Sequence, residues 1–489
     1  MTKESLFMLE SELLAGYLPE RELAPAQIAA AARATGRVLV VLDDDPTGTQ
    51  SVSNLPVLTA WDVADFRWAF GLQLDGARPL AVYVLTNTRS LDAADAAERN
   101  EQIVRAAWQA AQEAGIALAF ASRSDSTLRG HFPLETDTIA ATLAAMDPGS
   151  SVDAVLMVPA FGDAGRLTVG GEHYMRTGEG EVARVSDTEF AKDATFGFST
   201  SYLPDYVAEK TGGRVAAQDV VLLDLDTIRS GAQGIAGKLA GISNAQVAAA
   251  DIVTENDLRA LAEGLELAEA AGTKVLYRVG PPFVRARIGQ AERAPLGTEE
   301  IFAQNDAGQR TAGGLIVVGS HVGVTTRQLA DLTAAHSNAV VFELDVPTIL
   351  AKDSEAYISS KVAQIGEALA TGDVIVHTSR TLVKTEDAAA SLDIARTVSA
   401  AVVRVVNQTL HATPPRFVIA KGGITSSDVA AFGLEIRHAI VRGPMLPGIV
   451  SLWESVDGPA AGIPYIVFAG NVGDDSSLTA VTRKLSATF

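Results

Sequence analysis

The chain contains no cysteine. Disulfides, thiolate metal sites and cysteine nucleophiles are therefore excluded. Histidine is sparse as well, seven in 489 residues, and no two stand in an HxxxH or HExxH spacing. A histidine-built metal centre is not expected, and His131, His173 and His377 read as loop or core residues. Positive charge is scarce: 39 Lys plus Arg face 59 Asp plus Glu, a net charge of -20. An acidic surface argues against nucleic acid and anionic membrane as partners. It also makes any cluster of Arg informative. No stretch of about 20 apolar residues is free of charge and turn residues, so no membrane span is expected. The first residues carry acidic side chains and no long apolar core, which reads as neither secretory signal nor transit peptide. A cytoplasmic enzyme is the expectation. No GxxxxGK[ST] loop occurs, and no protein-kinase signature set.

What is present is an alternation. Apolar runs at Val38–Leu42, Leu80–Leu85, Ile116–Ala121, Ala154–Val158, Val220–Leu223 and Val275–Tyr277 read as strands, separated by Ala-rich helical segments. After a stretch rich in Arg, Pro and Gly from about Pro282 to Gly314, the rhythm restarts. Leu315–Val318, Ala339–Leu344, Val374–His377, Phe417–Ala420 and Tyr465–Ala469 are the later strands. The pattern predicts an α/β protein of two α/β domains with largely parallel sheets and an interdomain cleft. The boundaries are placed at 1–35 for an N-terminal helical extension, 36–305 for the first domain and 306–489 for the second.

In open α/β sheets, ligands bind beyond the carboxyl ends of the strands. Four such ends in the first domain carry charge and a turn: Asp43–Thr47, Asn87–Ser90, Arg123–Arg129 and Asp163–Arg166. Ionised groups there are not core. Carboxylates of Asp44, Asp45 and Asp125 can orient hydroxyls or accept a proton. Guanidiniums of Arg89, Arg123, Arg129 and Arg166 can grip a carboxylate or phosphate in bidentate fashion. A site holding both suits a polyhydroxy acid; structural ion pairs at loop ends are the plain alternative for any single pair. The second domain is glycine-rich at its strand ends: Gly319-Ser320, Lys421-Gly422-Gly423-Ile424-Thr425-Ser426, Gly443 to Gly448, and Gly470-Asn471-Val472-Gly473. Such turns allow backbone N–H groups to approach a phosphate, though glycine is also the default turn residue.

These elements, over most of the chain, resemble the four-carbon acid sugar kinase family. The family's DDxTG element matches Asp44 to Gly48, its DSTLRG element matches Asp125 to Gly130, and its PAFPxxGR element matches Pro159 to Arg166. The run Ser186 to Asp193 is similar too, and the family's GS, GGxTS and GNFG elements match Gly319-Ser320, Gly422 to Ser426 and Gly470 to Gly473. There are departures: Asp43 stands where Ala is usual, Arg123 replaces Lys, Pro46 replaces an apolar residue, Arg89 sits in NTRS, and His321-Val322-Gly323 occupies the place of an expected serine. They could mark a branched or differently oxidised acid.

The resemblance implies an N-terminal sugar-acid-binding domain, a C-terminal nucleotide-binding domain, and ATP-dependent phosphorylation of a terminal hydroxyl on a short, about four-carbon, sugar acid or 3-oxo sugar acid. Arg129, Arg89 or Arg166 would hold the substrate carboxylate, with Asn87, Arg123, Asp125 and Ser126 also lining the acid. Asp44 and Asp45 would be catalytic, Asp45 favoured for taking the proton. Ser320, Lys421, Gly422, Gly423, Ile424, Thr425, Gly470 and Gly473 would hold ATP, with Mg²⁺ bridging its phosphates through ligands the sequence leaves unknown. Domain closure would exclude water. A homodimer would fit the family and the prevalence of two-fold assemblies. Two other readings stand beside this one. Asp43 to Thr47 also fits the DxDxT motif of haloacid-dehalogenase-type phosphatases, with Asp43 as nucleophile and Asp45 as acid/base. A non-enzymatic sugar-acid sensor would leave the glycine-rich elements unexplained. The stereochemistry of the acid and the hydroxyl that reacts are not legible.

Overall fold

A computed structural model describes residues 8–178, 180–302, 311–351, 354–380 and 388–489. The chain forms two compact units. One comprises Met1–Asp44 and Trp61–Glu292, and the other Asp45–Ala60 and Arg293–Phe489. The sequence had suggested a single break between residues 305 and 306. The break lies instead at Glu292/Arg293, and Asp45–Ala60 leaves the N-terminal unit because Leu55–Leu58 completes the sheet of the other.

Among the described residues, the N-terminal unit is built on seven parallel strands. Their order is Val221–Leu223, Gln246–Ala250, Ala154–Val158, Val275–Val279, Ala117–Arg123, Arg37–Asp43 and Ala81–Leu85. Val38–Leu42 and Ala81–Leu85 are buried throughout, as expected of strands covered on both faces. The helices between them carry ordinary stop signals. In Ala93–Ala114, Asp92 accepts the Asp95 N–H at 3.0 Å, and Gly115 closes the helix at φ 64°. A second, antiparallel sheet joins Met8–Leu9, Glu181–Arg184, Glu172–Gly178 and Arg166–Val169. The expected helical extension over residues 1–35 thus contributes a strand as well as helices at Glu10–Leu13 and Pro25–Ala34. Ile28 and Ala32 of the latter are buried.

In the C-terminal unit, Val340–Leu344, Val374–Thr378, Leu315–Val318, Val418–Lys421 and Pro464–Phe468 run parallel. Ile449–Ser455, His438–Leu446 and Leu55–Leu58 then extend that sheet antiparallel. Its core gathers Ile316, Val318, Phe417, Ile419, Ile466 and Phe468. The stretch Gly443 to Gly448, expected as a glycine turn at a strand end, is different. Gly443–Leu446 finishes a nine-residue strand, with a register shift between Val441 and Gly443, and only Pro447-Gly448 turns the hairpin. Among the described residues, no helix is long and apolar enough to cross a membrane.

Candidate sugar-acid and nucleotide sites

The acidic and basic residues of the N-terminal unit meet at the carboxyl ends of adjacent strands, because Arg37–Asp43 pairs with both Ala117–Arg123 and Ala81–Leu85. Asp43 and Arg123 end those strands side by side, and the Arg123 Nε donates to the Asp43 carboxylate. Both side chains are 2% exposed. Arg123 also reaches Asp44 Oδ1 at 3.2 Å. Asp44 takes a fork from Arg89, Nη2 at 2.6 Å and Nε at 3.1 Å. Asn87, in the left-handed region at φ 52°, starts the turn that aims Arg89. Arg89 and Arg123 are thus already engaged by the protein's own carboxylates. Asp43, enclosed with Arg123, is poorly placed to attack phosphorus, which disfavours the phosphatase reading.

The DSTLRG segment wraps over this network. Asp125 accepts from Arg129 Nε at 2.7 Å and from the Thr127 hydroxyl. Burial pushes the Asp125 carboxyl up, but the Arg129 and Arg89 charges outweigh it and hold it well below the usual carboxylate range. Leu128 is in the left-handed region at φ 68°, its carbonyl accepting from the Tyr206 hydroxyl at 2.7 Å. Strain of that kind costs roughly 1–3 kcal/mol and persists only where the surroundings impose it. Gly130, at φ 123°, has no room for a side chain: a Cβ would stand 2.9 Å from Arg278 Nη2 and 3.2 Å from Asp44 Oδ2. The Ser126 carbonyl accepts from His173 Nε2 at 2.8 Å, and the other ring nitrogen faces Thr168 Oγ1 at 2.9 Å. Burial holds His173 down at about 4, so it is a neutral structural group.

Arg166 differs from the other guanidiniums. It is 8% exposed, its Nη1 donates to the Ala164 carbonyl at 2.5 Å, and its buried Nε has no partner. No carboxylate pairs with it among the described residues. Burial weakens its hold on a proton; Asp125 offsets part of that, and Arg129 adds repulsion. A buried guanidinium left incomplete is costly unless an anion completes it.

Two supporting residues escaped the sequence reading. Arg278, in the strand Val275–Val279, pairs with Glu135, and its Nη1 donates to Ser122 Oγ at 2.6 Å. Glu135 also accepts from Thr88 Oγ1 at 2.5 Å. Both are nearly fully buried. Arg278 of this pair lies against the Gly130 turn. Its signal was an arginine inside the apolar run VLYRV, which no motif marks.

In the C-terminal unit the glycine turns pack into one cluster. A Cβ on Gly319 would meet Thr425 Oγ1 at 2.2 Å, and one on Gly470 would meet Ser320 Oγ at 2.7 Å. Gly422, at φ 133°, lies against both Ser320 and Thr425. Gly423 abuts Asp45, whose Oδ2 is 3.6 Å from the Cβ position. Asp45 itself accepts the Thr47 N–H at 2.8 Å. Ser320, Gly422, Gly423, Thr425 and Gly470 are therefore brought together, and Asp45 stands with them rather than with Asp44. Ile424 projects from the same turn, 56% exposed. Gly473 packs elsewhere, against Ser477 and Gln328. Lys421 points inward: it is 0% exposed and its Nζ donates to the Ala469 carbonyl at 2.5 Å. Arg380, not anticipated, braces the Ser320 carbonyl at 2.7 Å and Thr326 Oγ1 at 2.6 Å. Among the described residues no group of three or more His, Asp or Glu side chains is placed to hold a metal ion.

Comparison with known proteins agrees with this division of labour. A family described as a sugar-binding N-terminal domain matches residues 39–287, and one described as a nucleotide-binding C-terminal domain matches residues 315–478. No curated protein matches the chain. The fold is similar to a crystal structure from Salmonella typhimurium LT2, described as a candidate tRNA synthase, at 18% identity and a TM-score of 0.65. That alignment covers 92% of this chain and 100% of the other. It is also similar to Haemophilus influenzae protein HI1011, at 18% identity and a TM-score of 0.58, over 91% of this chain and 99% of the other. At such identity the likeness speaks for the fold alone. The two matched domains, in this order and over most of the chain, place it in the four-carbon acid sugar kinase family.

Proposed function

We propose that the protein is an ATP-dependent kinase that phosphorylates a terminal hydroxyl of a short, about four-carbon, sugar acid or 3-oxo sugar acid. The observation that carries the reading is Arg166, a desolvated guanidinium with an unpaired Nε beside Asp125 and Arg129, in a domain of a sugar-binding family. A carboxylate would complete it, and hydroxyls would meet the neighbouring Asp125 and Ser126. Arg129 supports the same anion. Arg89 and Arg123 act through Asp43 and Asp44, keeping that rim rigid. Asp44, committed to two guanidiniums, orients the acid rather than accepting its proton.

Asp45 is the base in this scheme. It takes the proton of the attacking hydroxyl as that oxygen bonds to the γ-phosphorus of ATP, the bond to the bridging oxygen breaks, and ADP leaves. The turns at Gly319-Ser320, Gly422–Thr425 and Gly470 hold the nucleotide. Their oxygen donors, Ser320 and Thr425, fit Mg²⁺, which takes few protein ligands beside substrate phosphates. When bound it supplies neutralisation of phosphate charge. Positioning and electrostatics, rather than covalent chemistry, then account for catalysis.

The test is ADP release by the purified protein with Mg-ATP across D- and L-erythronate, D- and L-threonate, their 3-oxo forms and a branched 3-oxo acid. Acid-dependent ADP formation that disappears in Asp45→Asn supports the reading. No acid-dependent turnover, with phosphate instead released from phosphorylated acids in an Asp43-dependent way, would replace it with the phosphatase.

A further inference from the structure

The sugar-binding family match begins at residue 39, yet part of the acid-binding unit lies ahead of it. Met8–Leu9 adds an outer strand to the small antiparallel sheet by pairing with Glu181 and Val182, and the Glu10 N–H donates to the Gly180 carbonyl at 2.8 Å. Leu13, Leu14 and Tyr17 then pack on the buried cluster of that sheet, which includes Leu167 and Val169. Those two residues belong to the strand Arg166–Val169, whose first side chain is the guanidinium with the unpartnered Nε. The turn leading into the strand is small: Phe161 and Arg166 exchange N–H to carbonyl bonds at 2.9 and 2.8 Å, and Gly165 sits at φ 78°. Arg176, on the neighbouring strand Glu172–Gly178, holds that turn at three points. Its N–H donates to the Gly165 carbonyl at 2.8 Å, its Cβ stands 3.3 Å from the Cβ position of Gly165, and its Nη1 reaches the Gly162 carbonyl at 3.3 Å. The rest of that guanidinium, Nε and Nη2, forks onto the two carboxylate oxygens of Glu10, both at 2.7 Å. A long arginine side chain is costly to hold in one rotamer, and a bidentate carboxylate is the partner that fixes its plane. A second guanidinium, the buried Arg285, holds the same turn through Asp163 at 3.2 Å.

We propose that Glu10 and Arg176 are positioning residues of the acid site: through their fork the N-terminal segment fixes the turn Gly162–Gly165 and so the aim of Arg166 at the substrate carboxylate. This rests on the assignment of Arg166 to that carboxylate in the function proposed above. The Arg166 Nη1 bond to the Ala164 carbonyl ties the guanidinium to the turn, so a turn that shifts takes the guanidinium with it. The carboxylate is not the reacting group. It is held alike in the ground state and the transition state, so a loosened Arg166 raises the KM for the acid and leaves kcat where it was.

Steady-state kinetics of the full chain at saturating Mg-ATP measures this, with whichever of the erythronates, threonates and their 3-oxo forms turns over. Glu10→Gln keeps the size and loses the charge. It should raise the KM for the acid by roughly three- to tenfold, more than a fully exposed pair would give, with kcat and the KM for Mg-ATP unchanged. Arg176→Gln should do at least as much, and Arg176→Lys, which cannot form the fork, should recover only part of the loss. A double variant separates positioning from a general structural effect. With Arg166 already replaced by Met, Glu10→Gln should change the KM by less than about 1.5-fold, because there is no guanidinium left to aim. Glu263→Gln is the control. It breaks the Arg21–Glu263 pair, 3.4 Å long, which holds the same segment to the helix Glu255–Ala270, and it should leave the KM as it was. An unchanged KM in both Glu10→Gln and Arg176→Gln overturns the role while leaving the kinase standing. So does a rise of equal size in the Arg166→Met background or in Glu263→Gln. No acid-dependent turnover with any of these acids overturns the kinase reading itself, and this inference with it.

Discussion

Replacing Lys421 by Met should stabilise the empty protein near neutral pH, and the gain should vanish in alkali. The amine has an ordinary value of 10.5 and is depressed to about 7 by burial. In the unfolded chain Lys421 is protonated up to about pH 10.5; in the folded protein it gives up its proton above about 7. Its burden on stability is therefore absent above 10.5, grows as pH falls through that window, and is fully present below about 7. The drop from 10.5 to about 7 corresponds to about 5 kcal/mol. The methionine fills similar space but forgoes the bond to Ala469, which offsets about 1–1.5 kcal/mol. The expected net gain is about 3–4 kcal/mol at pH 7 and close to zero at pH 9.5, where about 1.4 kcal/mol of the burden remains. Denaturant unfolding of both proteins at the two pH values measures it, followed through Trp453, the tryptophan buried in the same unit. A Met variant with the same stability difference at pH 7 and pH 9.5 would refute the buried-amine argument.

Three further outcomes follow from contacts already described. Arg166→Met should raise the KM for the acid by about 10- to 100-fold, the worth of charge-assisted hydrogen bonds, while thermal stability holds or rises; an unchanged KM removes Arg166 from the carboxylate subsite. Gly130→Ala should cost about 2 kcal/mol or more, since an L-residue at φ 123° is strained and its Cβ would displace Arg278 and Asp44; calorimetric unfolding and acid binding should both register it. Gly319→Ala drives a methyl to 2.2 Å from Thr425 Oγ1 and should weaken Mg-ADP by at least about tenfold. Gly71→Ala, where nothing lies within 4 Å, is the control and should leave both ligands unaffected.

Much of this architecture was legible because parallel strands announce themselves. Val38–Leu42 and Ala154–Val158 are uninterrupted apolar runs, and they must be, with both faces covered. The antiparallel strands did not announce themselves. His438–Leu446 contains an arginine, a glycine and a proline, and only its end, from Gly443, is legible at all, as a glycine-rich turn. Leu55–Leu58 is four residues long, and nothing local says that it pairs with a strand some 380 positions later (His438 with Leu58). The same distance hid the separation of Asp44 from Asp45, which depends on tertiary contacts. Among the charged residues, the motifs marked Asp44, Arg89, Asp125 and Arg129 but not how they pair with one another. Sequence cannot tell a guanidinium whose Nε has no partner, such as Arg166, from one held by carboxylates, such as Arg123. Nor could it foresee that Lys421 faces inward, because direction follows from the register with Phe468.

The excursion of Asp45–Ala60 also bears on how the protein is made. That segment leaves the ribosome 233 residues before Arg293, where the rest of its unit begins. Its partner strand begins only at His438, 380 positions after Leu58, so at about 5–20 residues per second Leu55–Leu58 waits roughly 19–76 s for it. During that interval Leu55–Leu58, buried in the finished molecule, lacks the strand His438–Leu446 on a nascent chain. Chaperone capture during synthesis should therefore centre on residues 45–60. A fragment starting at residue 293 would be born with the outer edge of His438–Leu446 uncovered, and an expression plasmid for the nucleotide-binding half would do well to splice residues 45–60 back onto it.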